Sequence, residues 1–241
     1  DPGSPPRPFA VLYRPPMSLA PGEGTVEIAP AGVLPRLAAR SPLQLLHPRN
    51  HGHAAWVIVA SFGGGLVDGD HLRLDLKVLP GAVGYLSTQS STKVYRGTAS
   101  QRIEADVAEG ACLVSVPDPV VCFAGASFTQ RQHLRLAPTA SLVWLDALSA
   151  GRVEHGERWQ LARFESHLAI ERDGRPLATD GLVLDPAHGV LTERFGRWNA
   201  LATLFAIGPL AAPLRALWLA APPRLVKNAP ALVAPSPLGD D

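Results

Sequence analysis

The 241-residue chain has little of several things. It has two cysteines, Cys112 and Cys122, which are too few for a disulfide framework and are not at CxxC spacing. Each reads as a small buried hydrophobe, and the expected setting is reducing and cytoplasmic. It has no charge excess: 22 Lys+Arg stand against 21 Asp+Glu, for a net charge of +1. That excludes nucleic-acid binding by phosphate neutralisation. Aromatic residues are scarce, at 6%, which leaves little for stacking platforms. No apolar run is long enough to cross a membrane. The most apolar stretch, Ala200–Leu214, is broken by Gly208, Pro209 and Pro213. The start, DPGSPPRPFAVLYRPP, has no apolar core of a signal peptide.

What is abundant points to a turn-rich fold with a core. Hydrophobic residues make up 46% of the chain, with 22 glycines and 24 prolines. Residues 1–24 are Pro-rich and read as a mobile arm, 25–227 as a single β domain, and 228–241 as a Pro- and Ala-rich flexible tail. Within the domain, Leu72, Leu74, Leu76 and Val78 alternate with Arg73, Asp75 and Lys77, the pattern of a half-buried strand. A turn at Pro80-Gly81 and a second apolar strand follow.

That unit recurs twice. The turns Pro80-Gly81-Ala82, Glu109-Gly110-Ala111 and Pro138-Thr139-Ala140 sit 29 residues apart, and Arg73, Arg102 and Arg131 coincide in phase before them. Strand–turn–strand units at a fixed period imply stacked layers, as in a β-helix-like sandwich, with equivalent side chains above one another. The repeat ends near 151–157. Ser166–Glu171 and Leu177–Leu184 form a hairpin around Asp173-Gly174, and residues 198–220 read as two short helices separated by Gly208-Pro209. The class is mainly β, a layered β-helix-like or sandwich stack with a small helical part near the C-terminus.

The polar motifs share an address in this scheme. Thr88, Pro117 and Asp146 open unusual polar corners, again 29 residues apart, so that Thr88, Gln89, Asp118 and Asp146 are expected on one edge, with Glu157 able to join them. ASFGGGLVDGD (60–70) is not a phosphate loop, because it lacks the GK[ST] ending and a strand follows it. Thr88–Arg96 holds four hydroxyls with Lys93 and Arg96, which fits a solvated face or a hydroxyl-lined passage. HPRNHGH, with His47, His51 and His53, lacks a HExxH pattern and sits in a loop. A salt-bridge network using Lys93, Arg96 and Arg152 would equally account for the carboxylates. Trp198, Phe205 and Trp218 are candidates for a partner surface, or for core.

Four blocks in order, GGLVDGD (64–70), TQSSTKVYR (88–96), PDPVVCFAGASFTQ (117–130) and WLDALSAGRVEHGE (144–157), resemble the urease accessory protein UreD family, called UreH in some organisms. The resemblance runs from about residue 40 to 240. HPRNHGH stands where a more acidic stretch is usual, and family members commonly continue for a few tens of residues further. The resemblance implies a mainly β stack that is not an enzyme. It implies a scaffold that binds the urease apoprotein and recruits a UreF-type protein, which engages a UreG-type GTPase, so that nickel reaches the urease active site. It implies no tightly bound cofactor, with nickel(II) in transit through a polar internal passage. Carried over position by position, the polar residues are Asp70, Thr92, Lys93, Asp146, Glu157 and Asp180, with Asp70, Asp146, Glu157 and Asp180 as transient metal contacts. Spaced carboxylates and hydroxyls suit such transit, because a passage must hold the ion weakly and at several sites. The alternatives are a β-helical hydrolase or lyase using Asp70, Asp118 and Asp146 as acid and base, and an interaction module whose acidic residues only hold its corners together.

Overall fold

The computed structural model describes residues 19–49 and 52–220. The strands are β1 (Glu23–Ala29), β2 (Val33–Ala39), β3 (Leu43–Leu46), β4 (Ala55–Ser61), β5 (His71–Val78), β6 (Val83–Thr88), β7 (Thr92–Val94) and β8 (Gly97–Val107). They continue as β9 (Cys112–Ser115), β10 (Val120–Cys122), β11 (Ala126–Leu136), β12 (Ser141–Ser149), β13 (Arg163–Arg172), β14 (Arg175–Leu184) and β15 (Ala200–Ile207). Two helices are present among the described residues, α1 (Leu191–Phe195) and α2 (Ala212–Ala220), besides single 3-10 turns.

Two sheets face each other. The first runs β14-β13-β11-β8-β5-β1-β2; the second runs β3-β4-β6-β9-β12-β10-β7, with β15 paired to β12. The repeat seen in the sequence is the coil of this stack. Arg73, Arg102 and Arg131 pair directly across β5, β8 and β11, and Leu76, Ala105 and Leu134 do so on the opposite face. Val83, Cys112 and Ser141 pair in the second sheet. Each coil passes one strand through the first sheet (β5, β8, β11) and its following strands through the second (β6 and β7, β9 and β10, then β12 alone), so parallel pairing between coils satisfies the backbone. Alternation sends Leu74, Leu76 and Val78 inward, all 4% exposed or less, and the charged residues outward.

A second period governs the return corner. Leu66, Val94 and Cys122 bridge in parallel, 28 residues apart. Gly69, Gly97 and Gly125 follow at the same spacing, with φ of +84°, +122° and +75°. Only glycine takes this left-handed backbone without strain. The corner between the two columns shortens by one residue per coil. Eight residues separate Val57 from Leu66 (58–65), seven separate Leu86 from Val94 (87–93), and six separate Ser115 from Cys122 (116–121). In the next coil β12 runs unbroken from Ser141 to Ser149.

Two expectations are corrected. Residues 19–24 belong to the fold rather than to an arm: Arg40 donates to the Leu19 carbonyl at 3.0 Å, and Glu23 and Gly24 pair in β1. Residues 200–207 are a strand, not a helix. They pair antiparallel along β12 from Ile207–Leu142 to Ala200–Ser149, because the free edge of β12 offers a full ladder of backbone partners. Only Ala212–Ala220 of the segment 198–220 is α-helical. Residues 1–18 and 221–241, with the rest of the arm and the tail at 228–241, lie outside the described residues.

Candidate functional site

The interior has two apolar clusters. One holds Leu76, Leu134, Leu142, Trp144 and Ile170; the other holds Leu66, Phe128, Leu148, Trp159 and Phe164. Polar side chains form a stratum between them. Gln101, Gln130 and Ser166 pair in one row across β8, β11 and β13, and Ser115 and Asp146 come from the second sheet. Gln130 is 1% exposed, and its amide nitrogen lies 2.8 Å from each carboxylate oxygen of Asp146 and 2.9 Å from Ser166 Oγ. The Ser166 hydroxyl donates to Asp146 Oδ2 at 3.0 Å. One step along, Trp144 Nε1 donates to Gln132 Oε1 at 2.8 Å. Burial raises the pKa of Asp146. The bonds from Gln130 and Ser166 oppose that rise, and the nearby Asp180 carboxylate adds to it.

The other candidate residues fall into separate groups. Asp146 lies inside an unbroken strand rather than on an edge, so the expected convergence of Thr88, Gln89, Asp118 and Asp146 does not form as drawn. Thr88 and Asp118 do meet: the Asp118 N–H donates to Thr88 Oγ1 at 2.9 Å, while the Asp118 side chain is exposed. Thr92 and Lys93 lie on β7, with Lys93 exposed and Thr92 half-buried.

Asp70, Arg96, Arg152 and Glu157 gather at the glycine corner instead. Asp70 Oδ2 accepts from the Val67 N–H at 2.9 Å, and the neighbouring Asp68 accepts from the Thr98 N–H at 2.8 Å. Arg96 lies over Gly125. Arg152 donates to Glu157 through both Nε, at 2.9 Å, and Nη2, and its guanidinium sits 4.2 Å above the Phe123 ring. That pairing holds the Glu157 carboxyl below its ordinary range, helped by the Ala124 N–H. Glu157 therefore joins this corner and not the one at Thr88.

The proposed partner residues also separate. Phe205 is turned inward against the first apolar cluster, opposite Trp144. Trp218 is half-buried on α2. The Trp198 carbonyl accepts from Arg158 Nη2 and from Trp159 Nε1, at 3.0 and 2.9 Å. Both cysteines are buried, and burial pushes the Cys122 thiol up to about 12. Among the described residues no group of three or more His, Cys, Asp or Glu could hold a metal ion. No helix of the described residues is long and apolar enough to cross a membrane.

Gln130, Gln132 and Ser166 were not singled out from the sequence. A signal was present: in FTQRQHLRL both glutamines occupy the apolar phase of an alternating strand, where a polar residue needs a buried partner.

These features define a coiled, two-sheet β protein with a hydrogen-bonded polar layer through its core. The model of the family described as UreD urease accessory protein matches residues 24–235. Urease accessory protein UreD of Sorangium cellulosum is 53% identical over 213 residues, which cover 88% of this chain and 68% of that protein. Its counterpart in Anaeromyxobacter is 45% identical over 94% of this chain and 80% of that protein. Urease accessory protein D of indica rice is 34% identical over 72% of this chain and 60% of that protein. The chain belongs to the UreD family of urease accessory proteins.

Proposed function

We propose that this chain serves urease maturation as a scaffold: it binds the urease apoprotein with a UreF-type protein, meets a UreG-type GTPase through that complex, and passes nickel(II) toward the urease active site. It is not an enzyme in this reading. The observation that carries it is the polar stratum joined to family membership. Asp146 is a half-buried carboxylate among neutral amide and hydroxyl groups, with Asp180 close by. Such a site holds a divalent ion briefly: its carboxylate oxygens favour the cation, and too few ligands converge to trap it. The corner carboxylates Asp70 and Glu157 would be further stations, although Glu157 is already paired with Arg152. The paired-aspartate hydrolase reading has less support, since Asp70, Asp118 and Asp146 belong to three separate groups.

The test is nickel content and activity of urease matured in cells with this chain, a UreF-type protein and a UreG-type protein. Wild type is expected to load nickel, and Asp146→Ala is expected to bind the same partners while loading several-fold less. Unchanged loading with Asp146→Ala and Asp180→Ala together would remove the passage from this reading. Failure of the wild-type chain to bind urease apoprotein would remove the scaffold.

A further inference from the structure

The polar stratum holds two buried glutamine amides, and they are fixed in different ways. The Gln132 oxygen is committed: it accepts from Trp144 Nε1 at 2.8 Å. An indole N–H only donates. Turning this amide over would set its NH2 group against that N–H, two donors face to face in the interior, each left without an acceptor. Gln132 is therefore locked, with its nitrogen on the side away from the indole. It adds a lesser hydrogen bond to the Asp146 carboxylate.

Gln130 is held only through its nitrogen, by Asp146 Oδ1 and Oδ2 at 2.8 Å and by Ser166 Oγ at 2.9 Å. Ser166 tolerates the reverse arrangement, because a hydroxyl both donates and accepts. It now donates to Asp146 Oδ2 at 3.0 Å, and it would donate equally to a Gln130 oxygen standing where the nitrogen stands. The ionised Asp146 carboxylate accepts only, so the present orientation is favoured while that carboxylate is bare. A divalent cation on the carboxylate inverts the preference. Beside it an N–H faces positive charge, whereas a carbonyl oxygen adds a ligand. The two amide orientations have the same shape, so the turn needs no extra space in a close-packed core.

We infer that Gln130 is a turning ligand for the cation: an ion arriving at Asp146 turns this amide, which offers Oε1 to it, and the amide swings back to the carboxylate when the ion leaves. The inference rests on the passage reading above and gives that passage a moving part. Gln132, held by Trp144, stays a donor throughout. The returning NH2 group supplies Asp146 with a partner as soon as the ion departs, so the buried carboxylate is not left bare. This sets Asp146 apart from Asp70 and Glu157. Their donors are the Val67 N–H and the Arg152 guanidinium, and neither group has an acceptor to turn toward an ion.

The experiment measures nickel(II) bound by the purified full chain in equilibrium dialysis against nickel chloride. The binding that counts is the part removed by Asp146→Ala, which sets aside the surface histidines. Gln130→Met keeps the length of the side chain and lacks the oxygen, so it should bind nickel about tenfold more weakly than wild type. Trp144→Phe releases Gln132 to turn in its place, so Gln130→Met combined with Trp144→Phe should recover most of the lost affinity. A purely structural role for Gln130 gives no such recovery, because the second substitution only removes more of the core. If Gln130→Met fails to fold, Trp144→Phe alone decides: with both amides free to turn, it should bind nickel several-fold more tightly than wild type. Wild-type affinity in Gln130→Met, no recovery in the double variant, or no tightening in Trp144→Phe would overturn the turning ligand and leave the passage standing. No difference between wild type and Asp146→Ala would overturn both.

Discussion

Gln130 and Asp146 come from opposite sheets and meet in the middle of the stack, the amide nitrogen of one 2.8 Å from both carboxylate oxygens of the other. The contact bridges the two layers where neither apolar cluster reaches.

It sets a pH dependence. The folded pKa of Asp146 is raised, chiefly by burial, above its unfolded value. The unfolded chain therefore ionises this group first as pH rises. Its contribution is fully present below the unfolded value and is lost as pH rises through the folded one. Asp146→Asn should raise Tm by a few degrees at pH 7.5, with the gain vanishing below about pH 4. Thermal melts from pH 3.5 to 8 would check this; a constant difference would assign the effect elsewhere.

Glu104 has the opposite sign. Burial works against its ionisation, but hydrogen bonds from Arg135, at 2.7 Å, and Arg102, at 2.8 Å, outweigh it and hold the carboxyl below its usual range. Its stabilisation is present above the unfolded value and is lost as pH falls through the folded one. Glu104→Gln should cost about 1–2 kcal/mol at pH 7, discounted because both arginines are largely exposed. Urea unfolding at pH 7 and pH 4 would show the cost shrinking on acidification.

The glycine corners can be compared directly. At Gly97, with φ +122°, an added Cβ would lie 2.5 Å from Asp68 Cβ; at Gly110, with φ +64°, it would meet open space. Gly97→Ala should cost more than about 2 kcal/mol, and Gly110→Ala about 1. Equal costs would show that the corner relaxes around the new methyl group.

Phe205 tests how β15 is held. Its half-buried ring lies on the core cluster, so Phe205→Ala should cost about 2–3 kcal/mol. It should also speed protease cleavage between 185 and 220. Leu217→Ala, on the exposed side of α2, should stay within about 0.5 kcal/mol.

Much of this architecture is legible in the sequence because a coil repeats its chemistry. The 29-residue period at Gly81 and Gly110 sets the register of both sheets, and the hairpin at Asp173-Gly174 closes as expected between β13 and β14. The 28-residue column at Gly69, Gly97 and Gly125 is less visible, since it drifts against the first period. Residues 200–207 mislead because Leu201, Leu204 and Phe205 also fit a helical spacing; the vacant edge of β12, supplied from elsewhere in the chain, decides for a strand. The site was legible by residue type more than by place. Asp146 and Asp180 do approach one another, but their partners Gln130 and Ser166 become visible only when the sheets are laid together.

The shortening corner means that this solenoid counts. Each turn gives up one residue, and once β12 runs straight there is no corner left for another turn to copy. β15 then enters antiparallel and covers the edge on which a further coil would grow. Among the described residues the stack therefore ends by its own geometry, with β15 on its last edge. A duplicated 29-residue unit inserted after β12 would find no matching rung, so proteins of this design are expected to vary in their tails while keeping the number of their coils.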